Sequence, residues 1–227
     1  MLKKINPACL YANGDSWTYG QELNEEYRDQ NSFAGLIAKQ YSLKLINAGE
    51  PGSSNHGILR RSLQDLTNLI AQGEMPLVLI GWSAMHRFEL FDAKNNCWSS
   101  FYPNVEIVPY TNASFVDTIF GHYSTDESDK ELYVTYVTSL QSFLKLHNIP
   151  YIMFNVFASG PPIDKSTLEL HGKMLDLNQL LSIDLSSFLK CYPNVKFGPG
   201  KHPLEDGHKL ISEFLIQHID HRYELNK

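Results

Sequence analysis

The chain has 227 residues, 43% of them apolar and 12% aromatic, enough to bury one substantial core and to suggest a single domain over residues 1–227. Its net charge is −6, with no run of lysines or arginines, which sets aside the basic stripe a nucleic-acid partner needs. Cys9, Cys97 and Cys191 are sparse and lack CxxC spacing, arguing against a disulfide framework or a zinc knuckle. No segment reaches the roughly 18 apolar residues of a bilayer span. The N-terminus has two lysines but no apolar run suited to a signal peptide, so a cytoplasmic location is the expectation as encoded.

From the N-terminus, Ala8 to Ala12 is an apolar strand that stops at Asn13-Gly14-Asp15-Ser16, a cluster of turn residues. Phe33, Leu36 and Ile37 keep a helical period and predict a helix over 31–42. Leu43, Leu45 and Ile46 form a second short strand, closed by Asn47-Ala48-Gly49. Ile58, Leu59, Leu63, Leu66, Leu69 and Ile70 give an amphipathic helix, with Ser53, Ser54 and Asn55 available as caps. Leu77 to Ile80 is unbroken apolar sequence, as expected of a parallel strand buried on both faces.

An irregular, aromatic-rich insertion follows over about 88–123, with Trp98, Phe101, Tyr102, Tyr110, Phe115 and Tyr123. Helices are then expected over 132–146, 173–190 and 204–219, and strands over 151–154 and 195–197. This alternation implies a three-layer α/β/α fold, a flavodoxin-like, mostly parallel sheet with helices on both faces. Ligands of such sheets bind beyond the carboxyl ends of the strands. Four segments reach that edge: 13–17, 47–55, 81–87 and 198–208.

Each segment has a chemical and a plain reading. Ser16, just past a strand, can present its hydroxyl at the sheet edge, but a serine needs a base to act as a nucleophile, and Gly-Asp-Ser also builds ordinary turns. The glycines of 47–55 lead into a helix N-terminus, where N–H donors suit an oxyanion or a phosphate. They also make a capped turn. His202-Pro203 precedes the last helix and places His202 at its cap. His202 and His208 lack the HExxH spacing and have no cysteine nearby, so neither a metal nor another cofactor is expected. His218 and His221 read as a solvated helix end.

In order and position, these segments resemble the signature blocks of the SGNH/GDSL hydrolase superfamily over nearly the whole chain. Gly14-Asp15-Ser16 is similar to the first block, whose serine is the nucleophile and whose N–H helps form the oxyanion hole. Asn47 to Gly52 resembles the second, and Gly52 would donate its N–H to the oxyanion. His202-Pro203 with Gly207-His208 resembles the last, and His202 would be the general base.

Two positions depart from the family pattern. Gly81-Trp82-Ser83-Ala84 stands where the family has Gly-x-Asn-Asp, so Ser83 replaces an oxyanion-donating asparagine. Ser83 itself, Asn55 or Arg87 are the candidates to make up that donor. Pro199 stands where Asp-x-x-His-Pro places the triad acid, so a backbone carbonyl or a carboxylate from elsewhere would have to orient His202. Asp15, Trp17, Trp82 and Arg87 are the candidate substrate-binding side chains, although core packing is the plain reading of Trp82 and a surface pair that of Arg87 and Glu89.

The resemblance implies a serine esterase acting through a Ser16–His202 acyl-enzyme on a small-molecule or glycan ester, with O-acetyl groups on carbohydrate one target. Three alternatives stay open: a non-catalytic ligand- or glycan-binding relative, an acyltransferase using the same serine, and a phosphate or nucleotide binder using Gly49 to Asn55.

Overall fold

The computed structural model describes residues 2–101, 118, 120–122, 124–158 and 175–225. Four parallel strands make the central sheet: β2 (Cys9–Asn13), β3 (Lys44–Asn47), β4 (Pro76–Trp82) and β7 (Tyr151–Asn155), in the spatial order β3-β2-β4-β7. Leu10 pairs with Leu45 on one side and Leu77 on the other, and Leu79 pairs with Ile152. The first of these strands lies inside the sheet, so the chain winds outward both ways, as in flavodoxin-like folds, and the winding reverses between the paired neighbours β2 and β4. A parallel bridge from Leu180 to Met153 extends the sheet beyond β7.

Alternation along the strands builds two cores. Leu10, Ala12, Leu77, Leu79, Ile152 and Phe154 face one way. They pack on α3 (Phe33–Gln40), α6 (Leu185–Lys190) and α7 (Glu205–Arg222). Cys9, Tyr11, Val78, Ile80, Trp82 and Met153 face the other way, against α4 (Asn55–Ala71) and α5 (Asp126–Leu146). Leu10, Leu77, Ile80 and Ile152 are fully buried, each contributing about 1.5–3 kcal/mol through removal from water. The α/β/α layering expected from the alternation is present.

Local signals account for the helix starts. Ser54 Oγ accepts the Gly57 N–H at 3.0 Å and caps α4, and Ser32 Oγ does the same for Gly35 in α3. Thr125 and Ser128 form a capping box at α5, where Asp126, Glu127 and Asp129 suit the positive end of the helix dipole. Two short helices, α1 (Ser16–Tyr19) and α2 (Arg28–Asn31), join β2 to α3.

Several sequence expectations need correction. The described part of 173–190 is helical only in α6, because Asp184 caps the chain there and 175–184 forms turns and the Leu180 bridge instead. No strand forms at 195–197, where Phe197 makes a single antiparallel bridge with Pro203. The last helix begins at Glu205 with Leu204 as its N-cap, so His202 lies ahead of the cap in a loop. The insertion opens as an antiparallel hairpin, β5 (Phe88–Asp92) with β6 (Cys97–Phe101). Phe101 is buried and Trp98 is exposed. Tyr102, Tyr110, Phe115 and Tyr123 lie outside the described residues, as do Lys173 and Met174.

The ends of the described chain meet in a second parallel pair, β1 (Lys3–Ile5) with β8 (Tyr223–Leu225), which the sequence pattern does not announce. Among the described residues, no helix is long and apolar enough to cross a membrane.

Candidate active site

The carboxyl edge of the sheet is organised by Asn13, the last residue of β2. Its side chain is fully buried: Nδ2 donates to Ile58 O at 3.1 Å and Ser62 Oγ at 2.9 Å, and Oδ1 accepts the Gly14 N–H at 2.8 Å. The turn is thereby fixed to α4. Asp15 then caps α1 by accepting the Trp17 N–H at 3.1 Å, and Ser16 becomes the first helical residue. As the first helical residue, Ser16 has no intrahelical acceptor for its N–H, and none exists among the described residues.

The second block lies alongside. Ala48 N–H donates to Ala12 O at 2.8 Å and Glu50 N–H to Gly14 O at 3.1 Å, extending the β2–β3 pairing into the loop. Arg61 reaches back from α4 to Ser53 Oγ at 2.7 Å and pairs with Glu50 at 2.8 Å. Gly52 sits at φ 76°, a left-handed conformation that favours glycine. Its N–H, like that of Ser16, has no acceptor among the described residues.

The third block has a different character. Ser83 Oγ donates to Asp15 Oδ2 at 2.9 Å. Asn55 accepts the Ser83 N–H at 2.8 Å and donates to the Ser83 and Ala84 carbonyls at 3.1 and 3.4 Å. A hydroxyl has one proton and an amide two, so two of the three candidate side-chain donors, Ser83 and Asn55, are engaged inside the protein. Asp15 is fully buried, and burial pushes its carboxyl up against the opposing pull of Arg87, the Trp17 N–H and the Ser83 hydroxyl.

Three of the expected substrate-binding residues are therefore structural. Trp82 continues the inward row of Val78 and Ile80 and packs edge-on against Tyr133. Trp17 packs against Phe157 and Phe197. Asp15 has both oxygens engaged by the protein. Arg87 remains partly open, with 15% of its side chain exposed; Nη1 lies 3.4 Å from Asp15 Oδ2 and its guanidinium lies over the Phe157 ring.

His202 arrives from the other side of the edge. A tight turn over 198–202, closed by Gly198 N–H to His202 O at 2.9 Å, carries the ring toward the loop after α1. There Glu22, which sequence reasoning did not single out, meets it: Oε2 lies 2.8 Å from His202 Nδ1. The same carboxylate accepts the Gly200 N–H at 2.8 Å and the His202 N–H at 3.1 Å. The Gly200 N–H, together with the ring and backbone N–H of His202, holds the Glu22 carboxyl below the ordinary glutamate range. Trp17 and Phe197, whose centroids are 6.3 Å apart, pack α1 against the loop that carries His202. Among the described residues, Ser16 Oγ and His202 Nε2 share no hydrogen bond; in apo sites such bonds often tighten only with substrate.

His208, six residues on, serves another purpose. It is fully buried, stacks on Phe33 and accepts the Phe33 N–H at Nδ1, joining α7 to α3. Desolvation lowers its pKa to about 3. Among the described residues, no three His, Cys, Asp or Glu side chains group as a metal site.

Solved structures with this fold include esterases and lipolytic proteins. A psychrotrophic esterase, EstA from Pseudoalteromonas sp., captured with monoethylphosphonate, superposes with a TM-score of 0.55 at 17% identity, covering 94% of this chain and 97% of that one. A lipolytic protein of the G-D-S-L family from Desulfitobacterium hafniense gives 0.54 at 15% identity, covering 93% and 99%. A two-domain esterase active on acetylated mannans gives 0.53 at 13% identity, covering 95% of this chain and 50% of that one. The architecture is that of the SGNH/GDSL hydrolases. By sequence, no curated protein matches. One family profile does, across residues 19–226, and the chain belongs to that family, a family of unknown function designated DUF6071.

Proposed function

We propose that the protein is a serine esterase that cleaves a small acyl ester through an acyl-enzyme on Ser16. His202 Nε2 takes the Ser16 proton as Oγ attacks the ester carbonyl. The N–H groups of Ser16 and Gly52 receive the charge that develops on the carbonyl oxygen. The imidazolium then protonates the leaving alcohol, and water, activated by the same ring, releases the acid. The 227 residues act as one domain, with the β5–β6 hairpin and the sequence after it forming the insertion that follows the site loop.

One observation carries this reading. His202, with Nδ1 directed to a carboxylate, belongs to a loop packed on the helix that begins at Ser16, beside two backbone N–H groups that have no acceptor among the described residues. The fold is shared with esterases of which one acts on acetylated mannans, so O-acetyl groups on carbohydrate are the substrate class to assay first.

Labelling with a serine-directed fluorophosphonate at neutral pH tests the proposal. The folded protein is expected to label at Ser16 and to lose labelling in Ser16→Ala. Absent labelling, or labelling unchanged in that variant, rules the enzyme out. It would instead favour a ligand-binding relative, the reading supported by the missing Ser16–His202 hydrogen bond.

A further inference from the structure

We propose that Glu22 is the third member of the triad, a positioning residue that orients His202 from the nucleophile's own loop in place of an acid at position 199. The inference rests on the Ser16–His202 reading and extends it. Three observations support it.

Contact geometry is the first. Glu22 Oε2 lies 2.8 Å from Nδ1, which places the Nδ1 proton between ring and carboxylate and leaves Nε2 unprotonated and free to act as base. When Nε2 takes the Ser16 proton, the resulting imidazolium faces a carboxylate. The proton stays on the ring until Nε2 hands it to the leaving alkoxide, and Glu22 remains ionised throughout.

The glycines of the base loop are the second. A Cβ on Gly198 would stand 2.6–2.8 Å from the Glu22 carboxyl group, and one on Gly200 would stand 3.0 Å from His202 Nδ1 and 3.1 Å from Glu22 Oε2. Gly198-Pro199-Gly200 therefore leaves room for a carboxylate arriving from elsewhere in the chain. An acid at 199 is replaced by the space to admit one.

Backbone strain is the third. Glu22 and Lys201 both hold positive φ, 71° and 62°, a conformation uncommon outside glycine. Ser42 and Asn148, which share it, directly follow the last turns of α3 and α5, where a left-handed residue is usual. Glu22 and Lys201 end no such helix. Instead they flank the carboxylate–imidazole contact from its two sides, as strained residues at functional sites do.

The test uses the full chain and 4-nitrophenyl acetate, with fluorophosphonate labelling in parallel. Glu22→Gln is expected to lower kcat by about 10³–10⁴-fold, as loss of a triad acid does, with KM little changed. Glu22→Ala is expected to regain part of that activity when formate is added, a response that a merely structural role does not give. Gly198→Ala, which keeps Glu22 but displaces its carboxylate, is expected to lower kcat in the same sense and covers the case in which Glu22→Gln fails to fold. If the wild type labels at Ser16 while Glu22→Gln, or Gly198→Ala in its stead, keeps kcat within about tenfold, the Glu22 assignment is overturned and the Ser16–His202 reading survives. If the wild type does not label, both fall together.

Discussion

Two corners of one sheet edge, built from neighbouring strands, treat their hydrogen-bond donors in opposite ways. At the end of β4, the Ser83 hydroxyl and the Asn55 amide are engaged by Asp15 and by the Ser83 and Ala84 carbonyls. Beyond the ends of β2 and β3, the N–H groups of Ser16 and Gly52 have no acceptor among the described residues. Folded proteins pair nearly all their buried polar groups, and in the proposed mechanism these two open donors are the ones that meet the substrate oxygen. The β4 corner holds its side-chain donors within the protein. The two carboxyl groups obey the same division. Asp15 in the closed corner is pushed up by burial, whereas Glu22 in the open one is held down by the Gly200 and His202 N–H groups.

Removing the reacting groups of the open corner has the largest expected effect. Ser16→Ala or His202→Ala should each lower esterase kcat by about 10⁵–10⁶-fold, since members of such a unit fail together. Stability should change little by comparison. Steady-state turnover of an activated ester, with unfolding followed in parallel, separates the two effects. Loss of less than about tenfold for either variant is incompatible with nucleophile and base chemistry.

Gly52→Ala comes next. At φ 76° an alanine is strained by roughly 1–2 kcal/mol, and relief of that strain rotates the N–H away from the oxyanion. Losing one such donor lowers kcat by about 10²–10³-fold. A fall in thermal stability without a fall in kcat would show that the Gly52 N–H is idle.

The open corner was more legible in sequence than the carboxylate that meets His202. Gly14-Asp15-Ser16 and Ser54 act locally, through turns and caps that neighbouring residues build, so spacing alone places them. The β4 run announces a strand buried on both faces. The plain reading of Trp82 as core holds, because it shares the face of Val78 and Ile80. Glu22 could not be found this way. Its partners lie 178 and 180 positions away, and no local period marks it; the only sign is the pair of glycines around Pro199. Similarly, 175–184 turns instead of continuing a helix because Asp184 caps α6 and Leu180 pairs with Met153, a tertiary contact that no helical period registers.

Ser83→Ala probes the closed corner and should reverse the pattern of Gly52→Ala. The lost hydrogen bond to the buried Asp15 is expected to cost about 1–3 kcal/mol of stability, measured by denaturant unfolding, while kcat stays within about threefold of wild type in folded protein. If kcat instead drops 10²–10³-fold, as for a true oxyanion donor, the distinction between the corners fails.

Asp15→Asn offers the finest test, through pH. A buried carboxyl whose folded pKa is raised binds its proton more tightly in the native than in the unfolded state. Stability is then greatest below the ordinary aspartate value of 3.8 and declines as pH rises through the raised native value. Asparagine removes that titration, and its amide cannot accept from Trp17, Ser83 and Arg87 as the carboxyl group does. The variant should be less stable by about 1–3 kcal/mol at acid pH, and its deficit should narrow as pH rises toward neutrality. Unfolding free energies of both proteins across that range decide the matter. A deficit that widens with pH would mean the Arg87 pairing outweighs burial, so that Asp15 is held as a stable ion. The closed corner would then owe its rigidity to an ion pair rather than to the hydrogen bonds that engage Ser83 and Asn55.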